Sequence, residues 1–331
     1  MRDGRSSRFA RSEVYFRRVP VRVVGGWGLG MSQGSQPSVK LSEMEFRVVK
    51  PLGQGAGSSV FQINDIKKGG YYALKIVKRQ GADEDEAHIA QALQEAEVGP
   101  KLNHPSLMKI YDHRVKKAWF KVATVELLME YIDGKTLDEL EMPERGQLVL
   151  VFANVASALQ HMHRRKVYHG DLKPGNIMLS KAGQVKVIDF GTAWIADQAK
   201  GRIQGTPQYM APEQARDKVV NDKTDLFNLG AMMYRMFTGH HVNTSGMPGD
   251  DAAIVGPRAK IRPPIKLDPQ IPGTLNEAIM ACLHPNPDSR PANASEIEAQ
   301  LKAVARHMGL KGDDLKGLDD EEEDQEWASD E

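Results

Sequence analysis

Apolar and polar residues alternate along residues 45–52 (Glu-Phe-Arg-Val-Val-Lys-Pro-Leu) well enough for a strand. The same alternation predicts a returning strand over 60–64 and a third over 71–77, with Lys67-Lys-Gly-Gly70 as a tight turn between them. Residues 84–98 read as a helix that ends near Gly99-Pro100. Leu127-Leu-Met129 makes a buried strand that runs into a turn at Asp133-Gly134. Beyond it the period lengthens. Leu148, Val151, Phe152, Val155, Ala158, Leu159 and Met162 recur at helical spacing and mark a core helix over 145–163. A short apolar strand over 185–188 follows, and Ile279, Met280 and Leu283 lie on a later helix.

Composition changes this picture little. The chain has 331 residues, 40% of them apolar and 27% charged, which is ordinary for a globular protein. A net charge of zero gives no hint of nucleic acid, but the ends differ. Arg2, Arg5, Arg8, Arg11, Arg17, Arg18 and Arg22 make the start basic; Asp319 to Asp324 and Glu326 make the end acidic. Neither has an apolar stripe, so both are expected to be disordered tails. The first 30 residues read as a transit peptide, as a basic arm, or as an extension upstream of a start at Met31; the polar leader after Met31 favours the last. The acidic tail would either solubilise the protein or compete for a basic substrate groove, with solubility preferred. The one cysteine, Cys282, excludes an intramolecular disulfide and sits in an apolar pattern that suits a buried thiol. No apolar run reaches the ~18–20 residues that span a bilayer. The expected location is cytoplasmic.

Candidate chemistry gathers at His169-Gly-Asp-Leu-Lys-Pro-Gly-Asn176 and Asp189-Phe-Gly191. Asp171, Lys173, Asn176 and Asp189 supply a base, a cation and two metal ligands in an order that suits phosphoryl transfer from a metal-bound nucleotide. A loop capped by Asp and Asn would explain one of these residues, not four in this order. Upstream, Gly53-Gln-Gly55-Ala-Gly57-Ser58-Ser-Val60 could bring backbone amides close to phosphates, although alone it reads equally as a hairpin turn. Lys75 lies between apolar neighbours in a strand, which is costly unless an anion meets it.

Together these segments resemble the eukaryotic-like Ser/Thr protein kinases, bacterial members included, from about residue 45 to residue 305. The resemblance implies an α+β, two-lobed fold: a small β-rich lobe with one main helix over residues 43–132, and a larger, mostly helical lobe over 133–310. Residues 1–42 and 311–331 would be the basic and acidic disordered extensions. It implies ATP and Mg²⁺, with Mn²⁺ as a substitute. Gly53, Gly55, Gly57, Ser58, Val60 and Ala73 would bind the nucleotide, and Lys75 would pair with Glu95. Met129 would guard the back of the adenine pocket, with the Glu130 carbonyl and Ile132 amide on the adenine edge. Asp171 would take the acceptor's proton, Lys173 would neutralise the moving phosphate, and Asn176 and Asp189 would hold metal. Asp-Leu-Lys-Pro implies protein substrates with Ser/Thr hydroxyls rather than Tyr. Thr206 would tie the substrate loop to Asp171, Glu213 would pair with Arg290, and Asp225 would bond the catalytic-loop backbone.

Two residues depart from the family pattern. Ser58 stands where the phosphate loop keeps its last glycine, with Gly57 one place early. Gly170 replaces the arginine that grips a phosphorylated activation segment, which implies activity without that phosphorylation. A pseudokinase and a small-molecule kinase are the alternatives; the complete set of Lys75, Asp171 and Asp189 weighs against the first, and residues 205–213 against the second. Any regulation would come from a separate partner or the tails.

Overall fold

The computed structural model describes residues 39–55, 57–81, 85–196, 205–243, 253–254 and 261–316. The expectations for residues 1–38 and 317–331 lie outside these. Five strands form one sheet: β1 (Phe46–Gly55), β2 (Ser58–Asp65), β3 (Tyr71–Lys78), β4 (Ile110–Ala118) and β5 (Lys121–Glu130). They pair antiparallel in the order β1-β2-β3-β5-β4, because each is joined to its successor by a hairpin except where helix α1 (Asp85–Val98) intervenes.

The two-residue period of β3 decides what lies on each face. Ala73 and Val77 turn inward with α1 and join the main core, while Leu74 turns outward with Ile63, Leu128 and Leu41. Leu41 corrects the expectation that disorder extends to residue 42. It is buried, and its amide donates to Asp112 Oδ2 at 2.7 Å, so residues 39–42 cover the outer face of the sheet. Leu41 is an apolar side chain four residues before the first alternation at Glu45, and it seats this segment against Ile63, Leu74 and Leu128.

The rest of the chain is mostly helical. After β6 (Gly134–Thr136) comes α2 (Arg145–His163), whose bounds match the sequence reading. Its start is set by Gln147, whose side-chain oxygen accepts from the Glu144 amide at 2.9 Å. Its apolar stripe, including Phe152 and Leu159, is completely buried. Short strands β7 (Val167–Tyr168), β8 (Ile177–Ser180), β9 (Val185–Val187) and β10 (Trp194–Ile195) follow, with β6-β8-β9 in one sheet and β7-β10 in another. Then come α3 (Pro212–Asp217), α4 (Asp222–Thr238), α5 (Pro264–Leu267), α6 (Gly273–Cys282) and α7 (Ala294–His307). Asn221 caps α4 by accepting from the Thr224 amide, and Gly239, at φ 75°, ends it.

Cys282 is fully buried on α6, and burial pushes its thiol up to about 12, so it stays protonated and inert at neutral pH. A second correction concerns the acidic tail, expected to be disordered from residue 311. Gly312–Leu315 forms a 3₁₀ turn, and Leu315 is 2% exposed within the main core. Leu315 stands among Asp313, Asp314 and Lys316, and its burial holds this charged stretch against the core.

Candidate active site

Between the five-stranded sheet and the helical part lies a cavity of about 490 Å³, within the usual size for a small-molecule site. Strand pairing places Val60 and Leu127 beside Lys75, one on each neighbouring strand, and Met129 beside Ala73. Gly53, Ser58, Val60, Ala73, Lys75, Glu95, Met129, Glu130, Ile132, Asn176 and Asp189 all line this one space. Gly55 and Gly57 do not; they stand at the β1–β2 turn beyond its walls. Gly57 has φ +73°, and a Cβ there would come within 2.7 Å of the His88 ring on α1. The early glycine therefore follows from contact with α1, which no strand or loop pattern contains.

Lys75 Nζ lies 2.6 Å from Glu95 Oε2, twenty residues away in sequence. Glu95 is 1% exposed, which rules out the solvated surface charge that its helix position alone would suggest. Glu97, two residues on, faces outward and pairs with Lys101 at 3.0 Å. Burial opposes the charge on Lys75, but the carboxylates of Glu95 and Asp189 outweigh it and hold the ammonium above the usual lysine range. Burial also pushes the Glu95 carboxyl up, against Lys75 and a hydrogen bond from the Phe190 backbone amide. Asp189 goes the other way. Burial would raise it, but Lys75, the Gly191 amide, His169 and Lys173 together hold it below the usual carboxylate range. Asp189 is therefore held as an ionised carboxylate in the cavity wall. It also has φ 64°, a strained conformation for a residue with a Cβ and one typical of functional positions.

Asp171 and Lys173 stand beside the cavity rather than in its wall. The Asn176 side-chain amide donates to the Asp171 carbonyl at 2.8 Å, which leaves its oxygen as the remaining acceptor. The Asp171 carboxylate accepts from the Thr206 backbone amide at 2.7 Å and lies 3.5 Å from Lys173 Nζ. The link between residue 206 and Asp171 is thus made by main chain, where the resemblance implied the threonine itself. Asp225 is completely buried on α4 and accepts from the His169 and Gly170 amides, each at 2.8 Å, and from His163 at 2.8 Å. A buried carboxylate satisfied three times fixes the loop's height above α4.

Four features escaped the sequence reading. Leu52, Met108, Met178 and Ile188 complete the apolar walls, delivered by elements whose local pattern carries no sign of a ligand. The Glu130 side chain turns away from the cavity to Lys186, 2.7 Å away, and to the Lys109 amide at 3.1 Å. Lys186 lies between Val185 and Val187 in a buried strand, the same signal that singled out Lys75. Gln214 is 2% exposed and donates to the Gly170 carbonyl at 2.6 Å. Gly170 itself has φ +75°, and a Cβ there would stand 3.4 Å from both Trp194 and Val220. Glycine relieves the backbone at that point, and Gln214 takes over the anchoring.

The protein kinase domain family model matches residues 46–301. A probable serine/threonine-protein kinase of Streptomyces coelicolor is 31% identical over 266 residues, 76% of this chain and 38% of its own length. Serine/threonine-protein kinase Pkn3 of Myxococcus xanthus is 30% identical over 287 residues, 78% of this chain and 50% of its own. Serine/threonine-protein kinase PknB of Mycobacterium tuberculosis is 32% identical over 282 residues, 82% and 44% respectively. The chain thus spans half or less of the length of these curated relatives.

Proposed function

Because the chain belongs to the protein kinase domain family, we propose that it transfers the γ-phosphoryl group of ATP to Ser/Thr hydroxyls of protein substrates. One observation carries the reading: a single cavity collects the Lys75–Glu95 pair, Asn176 and Asp189, with Asp171 hydrogen-bonded beside it. Lys75 would hold the α- and β-phosphates, and Glu95 would hold Lys75 in place. The apolar walls from Val60, Ala73, Met129 and Met178 suit a flat purine, with backbone groups of Glu130 and Ile132 at its edge. Asp171 would orient the acceptor hydroxyl and take its proton; Lys173 would neutralise the phosphate in transit. Such a reaction asks mainly for alignment and charge neutralisation, and these residues supply both.

A divalent cation, Mg²⁺ or Mn²⁺, fits the donors available. Asp189 is an ionised carboxylate and Asn176 has an uncommitted carboxamide oxygen, both hard oxygen donors on one cavity wall. With so few protein ligands, the nucleotide's own oxygens would complete the coordination. When bound, the ion supplies charge neutralisation between the phosphates. A buried thiol and no other cysteine suit the cytoplasm, where ATP is at hand. No helix among the described residues is long and apolar enough to cross a membrane.

The test is radiolabelled ATP offered with protein and small-molecule acceptors. Label is expected on the chain itself or on a basic test protein, and none in a Lys75→Met variant. Label only on small molecules would move the chain to a different substrate class, and no label anywhere would make it a binding module.

Gly170 and Gln214 bear on control. The backbone before Asp171 is held by Asp225 and Gln214, and position 170 itself, a glycine, offers no cation to grip a phosphate. Phosphatase treatment is therefore expected to leave the transfer rate unchanged. A large fall after treatment would show that some other cation does the gripping.

A further inference from the structure

Trp119 and Phe120 are the two residues of the β4–β5 turn, with Ala118 and Lys121 paired across it. They are 95% and 97% exposed, whereas the next most exposed large apolar side chain among the described residues, Met142, stands at 63%. Trp119 also has φ 57°. The first position of a two-residue hairpin turn with positive φ favours glycine or asparagine, and an indole is among the poorest choices. The tip thus breaks two rules together: the wrong residue type for the turn, and two aromatic rings left in water. Neither serves the fold. Departures of this kind concentrate where a surface has a separate task.

Charge indicates the occupant. Lys116 and Lys117 precede the aromatic pair and Lys121 follows it. Strand pairing sets Lys78 and Lys116 on either side of Thr124, so the cations form a collar behind the rings. Glu126 is shared by Arg114 and Lys116, and Glu86 by Arg79 and Lys121, the latter at 3.9 Å. Lys78 and Lys117 have no carboxylate partner among the described residues. Two projecting rings backed by lysines match an interface whose surface is anionic and whose next layer is apolar: aromatic rings settle at headgroup level while ammonium groups reach lipid phosphates. A convex tip suits a deformable bilayer better than a rigid protein pocket. We propose that the β4–β5 tip is a reversible anchor for an anionic lipid surface.

The geometry keeps this apart from the cavity. β5 has ten residues from the tip to Glu130 in the cavity wall, and at ~3.3 Å per residue the anchor stands about 30 Å from that end of the cavity. Docking there would leave the cleft open and hold the enzyme near acceptors at the same membrane. The inference stands whether or not the chain transfers phosphate.

The test is co-sedimentation of the full chain with vesicles of phosphatidylcholine alone or mixed with phosphatidylglycerol. Wild type is expected to bind only the mixed vesicles, more weakly as salt rises. The double substitution Trp119→Ser, Phe120→Ser is expected to cut that binding roughly tenfold or more, and Lys117→Glu to weaken it, both with normal thermal unfolding and ATP transfer. Binding that survives loss of both rings would assign the attraction to the arginine-rich start and overturn the proposal. So would failure to bind mixed vesicles, or capture by polyglutamate in their place, which would point to an acidic protein segment.

Discussion

Asp171→Asn is expected to lower the phosphotransfer rate by about 10²–10⁴-fold, the usual worth of a positioned general base. The substitution keeps shape. The side-chain oxygen can still accept from the Thr206 amide, now 2.7 Å away, and the fold should not notice the change. What disappears is the negative charge 3.5 Å from Lys173 and, with it, the proposed ability to take the acceptor's proton. Asp171 lies outside the cavity wall, so KM for ATP and nucleotide-dependent thermal stabilisation should hold while kcat falls. Lys75→Met predicts a different split, because Lys75 touches the cavity itself and its loss should weaken nucleotide binding as well. Undiminished transfer by the Asp171→Asn enzyme would remove the proton-acceptor role from this residue.

The second large effect is on stability. Arg290→Met is expected to cost about 3–5 kcal/mol and to lower Tm by on the order of 10 °C. The Arg290 side chain is 0% exposed and forks onto Glu213 at 2.7 and 2.9 Å. It also donates to the Lys223 carbonyl at 2.7 Å and the His284 carbonyl at 2.8 Å, and stacks over Phe227. Methionine would fill much of the space but leave the Glu213 carboxylate buried with one remaining side-chain partner, the Thr224 hydroxyl at 3.1 Å. Most of the penalty is that orphaned charge, so adding Glu213→Gln should recover part of it. Thermal unfolding of both variants measures this, and a single-variant shift of only ~1 °C would mean that water reaches Glu213. Chemistry per folded molecule should change less than stability, because the pair ties α3 to the segment before α7 and touches no nucleotide.

Both predictions rest on residues that were visible in the chain, for different reasons. Asp171, Lys173, Asn176 and Asp189 lie close in sequence and are chemically unusual for a loop, so their order alone pointed to phosphate and metal. Lys75 was legible because a cation in an apolar strand needs an anion. The same rule applied to Lys186 calls for an anion there too, and the fold supplies Glu130. Glu213 and Arg290 are 77 positions apart, and only the family resemblance joined them before the fold did.

Local pattern was enough for the elements that carry the site: the period-two strands, the α2 stripe from Arg145 to His163, and the loop whose residues are consecutive. These are short-range facts, set by side-chain periodicity and by backbone chemistry along one stretch of chain. Tertiary structure decided everything that depends on which distant surfaces meet. It set Met108 and Met178 as cavity walls, brought His88 beneath Gly57, put Gln214 in charge of Gly170, seated Leu41 and Leu315 in cores, and left Trp119 and Phe120 in water. No residue's own neighbours encode such meetings, because burial and pairing belong to the packed whole and come from the other side of a contact.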